Sequence, residues 1–199
     1  TAIGLFVATN ITLLSGASML FLPRFDPEKV FALMPRATVL MGVPTFYVRL
    51  LEDERVNREM TARMRLFVSG SAPLLAETHR EWRARTSHAI LERYGMTETS
   101  PIVAGTPMGP SRRLGALGLP FPSTDVRVVD PEDPDPDREV PDGEPGELLV
   151  RGPQVFAGYW QDEAATQAAI TPAFTIMGAL LGLGGLTYLL ARETAGTRL

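Results

Sequence analysis

A tyrosine, two threonines and a glutamate lie close together in the stretch Glu92–Pro101, which reads ERYGMTETSP. The glycine allows the backbone to approach a ligand closely, and hydroxyl groups can bind phosphate oxygens. The carboxylate of Glu98 could hold a magnesium ion that bridges such phosphates, and Tyr94 could offer its ring face to a base. A simpler interpretation is that Thr97 or Thr99 caps a helix and that Glu98 favours the helix dipole. These residues alone leave both interpretations open.

The segments around this stretch alternate between short apolar runs and amphipathic runs. We predict strands at Thr38–Met41, at Arg65–Val68 and in AILERYG, with helices in TFYVRLLEDERV and LAETHREWRARTSH. This alternation predicts an α/β fold with βαβ units and a parallel sheet. The loops Ser69–Pro73 and Gly95–Ser100 then follow predicted strands. Because ligands of such sheets bind beyond the carboxyl ends of the strands, we expect the two loops to form one site.

The composition argues against several classes of function. The 199 residues contain no cysteine, which excludes disulfide scaffolds, thiolate metal sites and cysteine nucleophiles. A net charge of −4 provides no basic surface for nucleic acid. The two histidines, His79 and His88, are poor material for a zinc site, and we expect them to be ordinary packing or surface residues. The acidic, proline-rich run between VRVVD and GELLVRG predicts an exposed hairpin connection.

Two segments near the ends of the chain are almost free of charge. For Thr1–Pro23 we predict a buried helix followed by a buried strand. Pro172–Ala191 is almost wholly apolar, and its twenty residues match the thickness of a membrane at helical rise. Since the composition changes near Ile170, we predict two parts, residues 4–168 and residues 170–199. The second part would be an apolar, transmembrane-like helix with a short polar tail, through which the chain would associate with a membrane.

Four segments, in this order and spacing, resemble the adenylate-forming acyl-CoA synthetases (AMP-binding enzymes), and within them the malonyl-CoA synthetases. The segments are LFLPRFDPEKVFALMPRATVLMGVPTFYVRLL, MRLFVSGSAPLLAETHREW, AILERYGMTET and GELLVRGPQVFAGYW. The resemblance implies a partial N-terminal domain of that family, with a parallel-sheet βαβ core and a smaller β-rich part. It also implies that ATP, Mg²⁺ and coenzyme A serve to convert a carboxylate, malonate or methylmalonate, into an acyl-adenylate and then an acyl-CoA.

The same resemblance assigns roles to individual residues. Thr97 and Glu98 would be catalytic, with Thr97 binding the phosphate and Glu98 ligating magnesium. The nucleotide would contact a larger set, in which Tyr94 stacks on the base: Gly70, Ser71, Ala72, Tyr94, Gly95, Met96 and Thr97. A dicarboxylic acid needs a partner for its second carboxylate, and arginine binds carboxylates with two parallel hydrogen bonds. Arg49 is our first candidate for this role, followed by Arg112 and Arg113.

Parts of the family's pattern have no counterpart in these residues. Neither the lysine-containing phosphate loop nor the Thr-Gly-Asp segment and the lysine domain that follows it occur in the 199 residues. We therefore expect a polypeptide of these residues to lack synthetase activity. Two alternatives stay open: a membrane-anchored remnant that binds nucleotide, and a soluble α/β domain without activity. The enzyme-like part is expected to be cytoplasmic, and the sequence leaves its oligomeric state open.

Overall fold

The computed structural model describes residues 7–100, 102–108, 115–133, 135, 138–170 and 175–177. It divides into two units, Thr1–Arg93 and Tyr94–Leu199. The helices are α1 Asn10–Leu14, α2 Pro27–Leu33, α3 Pro44–Leu51, α4 Ala76–Thr86 and α5 Glu163–Ala169. The strands are β1 Val39–Gly42, β2 Leu66–Gly70, β3 Ile90–Tyr94, β4 Ala104–Gly105, β5 Leu119–Pro120, β6 Asp125–Val129, β7 Glu147–Arg151 and β8 Thr175–Met177.

Parallel strands organise the first unit. β2 pairs in parallel with β1, where Val39 lies opposite Leu66, and with β3, where Gly70 lies opposite Arg93. Helix α3 connects β1 to β2, and α4 connects β2 to β3. Buried parallel strands favour apolar residues, which explains why β1 and β2 were visible in the sequence as short apolar runs. The predicted α/β fold with a parallel βαβ core is confirmed.

The core of the first unit forms around Trp82 of α4. This side chain is fully buried, and its ring meets Tyr47 and Phe67 edge-on, with centroids 5.0 and 4.9 Å away. The hydroxyl of Tyr47 donates a hydrogen bond to the carbonyl of Val68 at 2.7 Å, which ties α3 to β2. The buried His79 accepts a hydrogen bond from the backbone N–H of Ile90 at 2.9 Å, so its expected packing role is confirmed.

The prediction for the start of the chain is wrong over its described residues. Helix α1 has only five residues, and Leu14 at its end is 88% exposed. Gly16 follows with φ of +63°, which ends the helix. Residues 17–23 form no strand, and Phe21 is 78% exposed. The serine and glycine in this stretch interrupt the apolar pattern that a buried helix or strand requires.

The second unit contains an antiparallel sheet. β6 and β7 pair from Asp125 opposite Arg151 to Val129 opposite Glu147. The described residues of the acidic connection between them are mostly exposed, which confirms the predicted hairpin. β4 and β5 form a short antiparallel pair. Apolar side chains of these strands form a second core, made of Val103, Ala104, Val128, Leu148 and Val150.

Most of the predicted C-terminal helix lies outside the described residues. Thr175–Met177 are described, and they form β8, which pairs antiparallel with β7. These three residues therefore depart from the predicted helix. Thr175 and Ile176 are β-branched residue types, which favour strands. In the described part of the chain, every helix is too short or too polar to cross a membrane.

Candidate functional site

The carboxyl ends of two neighbouring parallel strands carry the predicted site residues. Gly70, the last residue of β2, lies opposite Arg93, and Tyr94 then completes β3. The loop after β2 belongs to the first unit, and the loop after β3 begins the second. The loop after β2 therefore begins at the carboxyl end of a parallel strand, where ligands of α/β proteins bind.

The loop after β2 turns sharply at Ser71. This residue has φ of +68°, in the left-handed region, and Ser71, Ala72 and Pro73 are exposed. Ser69 and Gly70, which the sequence analysis placed in the loop, are buried residues of β2. The Oγ of Ser69 is buried and has no hydrogen-bond partner among the described residues. A buried hydroxyl without a partner is uncommon, and here it lies at the predicted ligand edge.

The loop after β3 forms a single 3₁₀ turn, Thr97–Thr99. Thr99 is buried, and its Oγ1 accepts a hydrogen bond from the backbone N–H of Met96 at 3.1 Å. Thr97 is exposed and Glu98 is half-buried. The two threonines of the motif therefore differ: Thr99 caps the turn, as the simpler interpretation proposed, while Thr97 and Glu98 remain accessible to a ligand.

Tyr94 and Met96 pack against the second core, beside Val103. The carbonyl of Tyr94 accepts a hydrogen bond from the N–H of Val103 at 2.8 Å, which fixes the end of β3. The Tyr94 hydroxyl is buried without a hydrogen-bond partner among the described residues, and its burial raises the pKa of the phenol. Tyr94 thus has a packing role in the second unit, and its stacking on a base stays a prediction.

Glu98 is held by a residue that the sequence did not single out. Its Oε1 accepts a hydrogen bond from the hydroxyl of Tyr159 at 2.5 Å, and its carbonyl accepts one from the N–H of Phe156 at 2.8 Å. The hydrogen bond to the carboxylate raises the pKa of Tyr159. The sequence analysis used the segment GELLVRGPQVFAGYW only for the family resemblance and gave Tyr159 no role.

The described residues fit a metal ion that is bound together with a nucleotide better than an ion that protein side chains alone coordinate. They contain no group of three or more histidines, aspartates or glutamates that could hold an ion. Mg²⁺ in nucleotide sites is bound by one or two carboxylates together with phosphate oxygens and water. The accessible carboxylate of Glu98 meets that requirement.

Of the three arginines that we predict to bind a second carboxylate, the structure describes only Arg49. Arg49 is exposed in the last turn of α3, and its guanidinium carbon lies 5.0 Å from the ring centroid of Phe25. Phe25 in turn stacks on Phe46 at 4.0 Å. Arg49 is thus placed on an aromatic surface, and its role towards a carboxylate stays a prediction. Arg112 and Arg113 lie outside the described residues.

The chain was compared with protein families and with curated proteins, and the two comparisons agree with each other. Residues 2–160 match the family model described as AMP-binding enzyme. A long-chain-fatty-acid–CoA ligase of Yersinia pestis is 40% identical over 141 residues, which cover 71% of this chain and 24% of that protein. A mitochondrial malonate–CoA ligase of Mus musculus is 35% identical over 187 residues, covering 78% and 32%. The chain therefore spans about a quarter to a third of the length of these relatives.

Solved structures show the same fold. ATP-bound MatB from Rhodopseudomonas palustris is 52% identical with a TM-score of 0.83, over 89% of this chain and 35% of that one. A malonyl-CoA ligase in complex with methylmalonyl-CoA and AMP is 36% identical with a TM-score of 0.76, over 88% and 38%.

Proposed function

Because the chain belongs to the AMP-binding enzyme family, we propose that it carries part of the nucleotide site of an adenylate-forming acyl-CoA ligase. In this reaction a carboxylate attacks the α-phosphate of ATP, which gives an acyl-adenylate and pyrophosphate. The thiol of coenzyme A then displaces AMP. The observation that carries the proposal is the 3₁₀ turn after β3, where Thr97 is accessible and the carboxylate of Glu98 is held by Tyr159.

Each residue of the turn has a task in this chemistry. The hydroxyl of Thr97 donates a hydrogen bond to an α-phosphate oxygen, on which negative charge grows in the transition state. Glu98 would hold the magnesium ion, which would neutralise charge on the phosphates. Tyr94 would stack its ring on the adenine, the role that the family resemblance implies. No protein nucleophile is needed, consistent with a chain that lacks cysteine.

Malonate or methylmalonate is our proposed acyl substrate. Two observations support it: the 35% identity to the mouse malonate–CoA ligase and the 36% identity to the ligase solved with methylmalonyl-CoA. Arg49 would bind the second carboxylate of such a substrate. A fatty acid is the second candidate, because the Yersinia pestis long-chain-fatty-acid–CoA ligase is 40% identical over a shorter region.

Removing either functional group of the turn should weaken nucleotide binding. We expect Glu98→Gln and Thr97→Val each to raise the dissociation constant of Mg²⁺–ATP by roughly 10-fold or more, because each removes a charge-assisted contact of about 1.5–3 kcal/mol. Isothermal titration calorimetry of the 199-residue chain measures this. Thr97→Ser, which keeps the hydroxyl, and Glu59→Gln at an exposed position serve as controls. Equal binding by all variants, or no saturable binding by the parent chain, would refute the proposed site.

A polypeptide of these 199 residues should bind nucleotide without turning it over. The sequence contains neither the lysine-containing phosphate loop nor the lysine domain of the family. We expect no release of pyrophosphate above background when the purified chain is supplied with ATP, Mg²⁺, malonate and coenzyme A. A coupled pyrophosphate assay measures this, with a complete malonyl-CoA ligase as the positive control. Turnover by the chain would contradict the expectation.

A further inference from the structure

The segment between Phe156 and Tyr159 contacts Glu98 at two points. The N–H of Phe156 donates to the Glu98 carbonyl at 2.8 Å, and the Tyr159 hydroxyl donates to Oε1 of the Glu98 carboxylate at 2.5 Å. One contact fixes the backbone of the 3₁₀ turn, and the other fixes the end of the side chain. A glutamate in an exposed turn would otherwise sample several rotamers.

Tyr159 itself is fixed by the start of helix α5. Its N–H donates to Oγ1 of Thr166 at 2.9 Å, and that hydroxyl donates to the carbonyl of Asp162 at 2.8 Å. Asp162 caps α5 by accepting from the N–H of Ala165 at 3.0 Å. The ring of Tyr159 also packs edge-on against Phe156, with centroids 4.9 Å apart.

The turn before Tyr159 requires a glycine. Gly158 has φ of +144°, and a Cβ at this position would lie 2.7 Å from Cγ2 and 2.9 Å from Oγ1 of Thr166. The glycine therefore lets the backbone lie directly against Thr166, and this close approach sets the direction in which Tyr159 leaves the chain. Three features, the helix cap, the close glycine and the ring contact, place the phenol at the Glu98 carboxylate.

We propose that Tyr159 is a positioning residue, which holds the Glu98 carboxylate in the orientation that binds the magnesium ion of a nucleotide. This rests on the proposed function, in which Glu98 is the metal ligand. The phenol occupies one acceptor site of Oε1 and leaves Oε2 and the remaining lone pair of Oε1 for a metal. Hydrogen-bonded partners of metal ligands act in this way, since they fix the orientation of the ligand before the ion arrives.

The test compares metal affinity in three variants of the full 199-residue chain. Tyr159→Phe removes the hydroxyl and keeps the ring, Glu98→Gln removes the carboxylate, and Trp160→Phe is a matched control at the adjacent, 89% exposed position. Electron paramagnetic resonance measures binding of Mn²⁺, as the probe for Mg²⁺, in the presence of ATP. Affinity for ATP alone is measured in EDTA, and far-UV circular dichroism shows whether each variant is folded.

We expect Tyr159→Phe to weaken Mn²⁺ binding about 10-fold, with metal-free ATP affinity unchanged and Trp160→Phe equal to the parent chain. A purely structural role would instead lower both affinities together and would refute positioning. Unchanged or tighter Mn²⁺ binding in Tyr159→Phe, with weakened binding in Glu98→Gln, would refute the inference alone. If the parent chain binds no Mn²⁺ with ATP, or if Glu98→Gln has no effect, the proposed function fails and the inference with it.

Discussion

Replacing Trp82 by alanine is expected to lower the free energy of unfolding of the first unit by about 3–5 kcal/mol. The side chain is fully buried, and its ring contacts Tyr47 and Phe67 edge-on. Truncation leaves a cavity between α3, α4 and β2 that the surrounding helices and strands can fill only in part. Since a domain is typically stable by only 5–15 kcal/mol, we expect a large shift of the urea midpoint, measured by far-UV circular dichroism.

Trp160 provides the matched control for this substitution. It is the second of the two tryptophans, and it is 89% exposed. Trp160→Ala removes the same atoms without opening a cavity, and its effect should stay within about 0.5 kcal/mol. Similar midpoints for the Trp82 and Trp160 variants would contradict the described core.

Replacing Gly118 by alanine should have a comparably large effect on the second unit. Gly118 has φ of +91°, and an added Cβ would overlap the carbonyl group of Gly105 and the amide nitrogen of Thr106. These are backbone atoms of the chain next to β5, so no side chain can rotate away to make room. We expect Gly118→Ala to destabilise the unit by more than about 4 kcal/mol, a range reserved for severe local conflicts, measured by urea unfolding.

Gly143→Ala is a control that keeps the backbone strain but lacks the steric overlap. Gly143 also has a positive φ, +101°, but a Cβ there would meet no atom within 4 Å. Gly143→Ala therefore tests the strained conformation alone, which costs roughly 1–3 kcal/mol. If both alanine variants were equally stable, the close approach of Gly118 to Gly105 would be refuted.

The sequence predicted the parallel core because the buried part of each strand is apolar. Phe67 and Val68 of β2 and Ile90 and Leu91 of β3 are buried, and a glycine stands at the end of β2 and directly after β3. The start of the chain was predicted wrongly, since apolar content alone does not show whether a helix is covered. Leu13 and Leu14 have the right residue type for a core, yet they are exposed.

The candidate site could be predicted only where its residues are neighbours along the chain. Tyr94, Thr97 and Glu98 lie close together along the chain, and their types pointed to phosphate and metal chemistry. Which threonine caps the turn depends on a backbone geometry that residue types do not specify, and the cap turned out to be Thr99. The hydrogen bond between Tyr159 and Glu98 joins residues 61 positions apart, and no local pattern reports such a pair.

The two tryptophans lie in different surroundings, so their fluorescence emission should differ and can be followed separately. Trp82 belongs to the first unit and has no exposed surface, so its emission should be blue-shifted and should respond to loss of that core. Trp160 belongs to the second unit, is almost wholly exposed, and directly follows the tyrosine that contacts Glu98. Fluorescence at two wavelengths can therefore report on the two units separately in a single unlabelled sample.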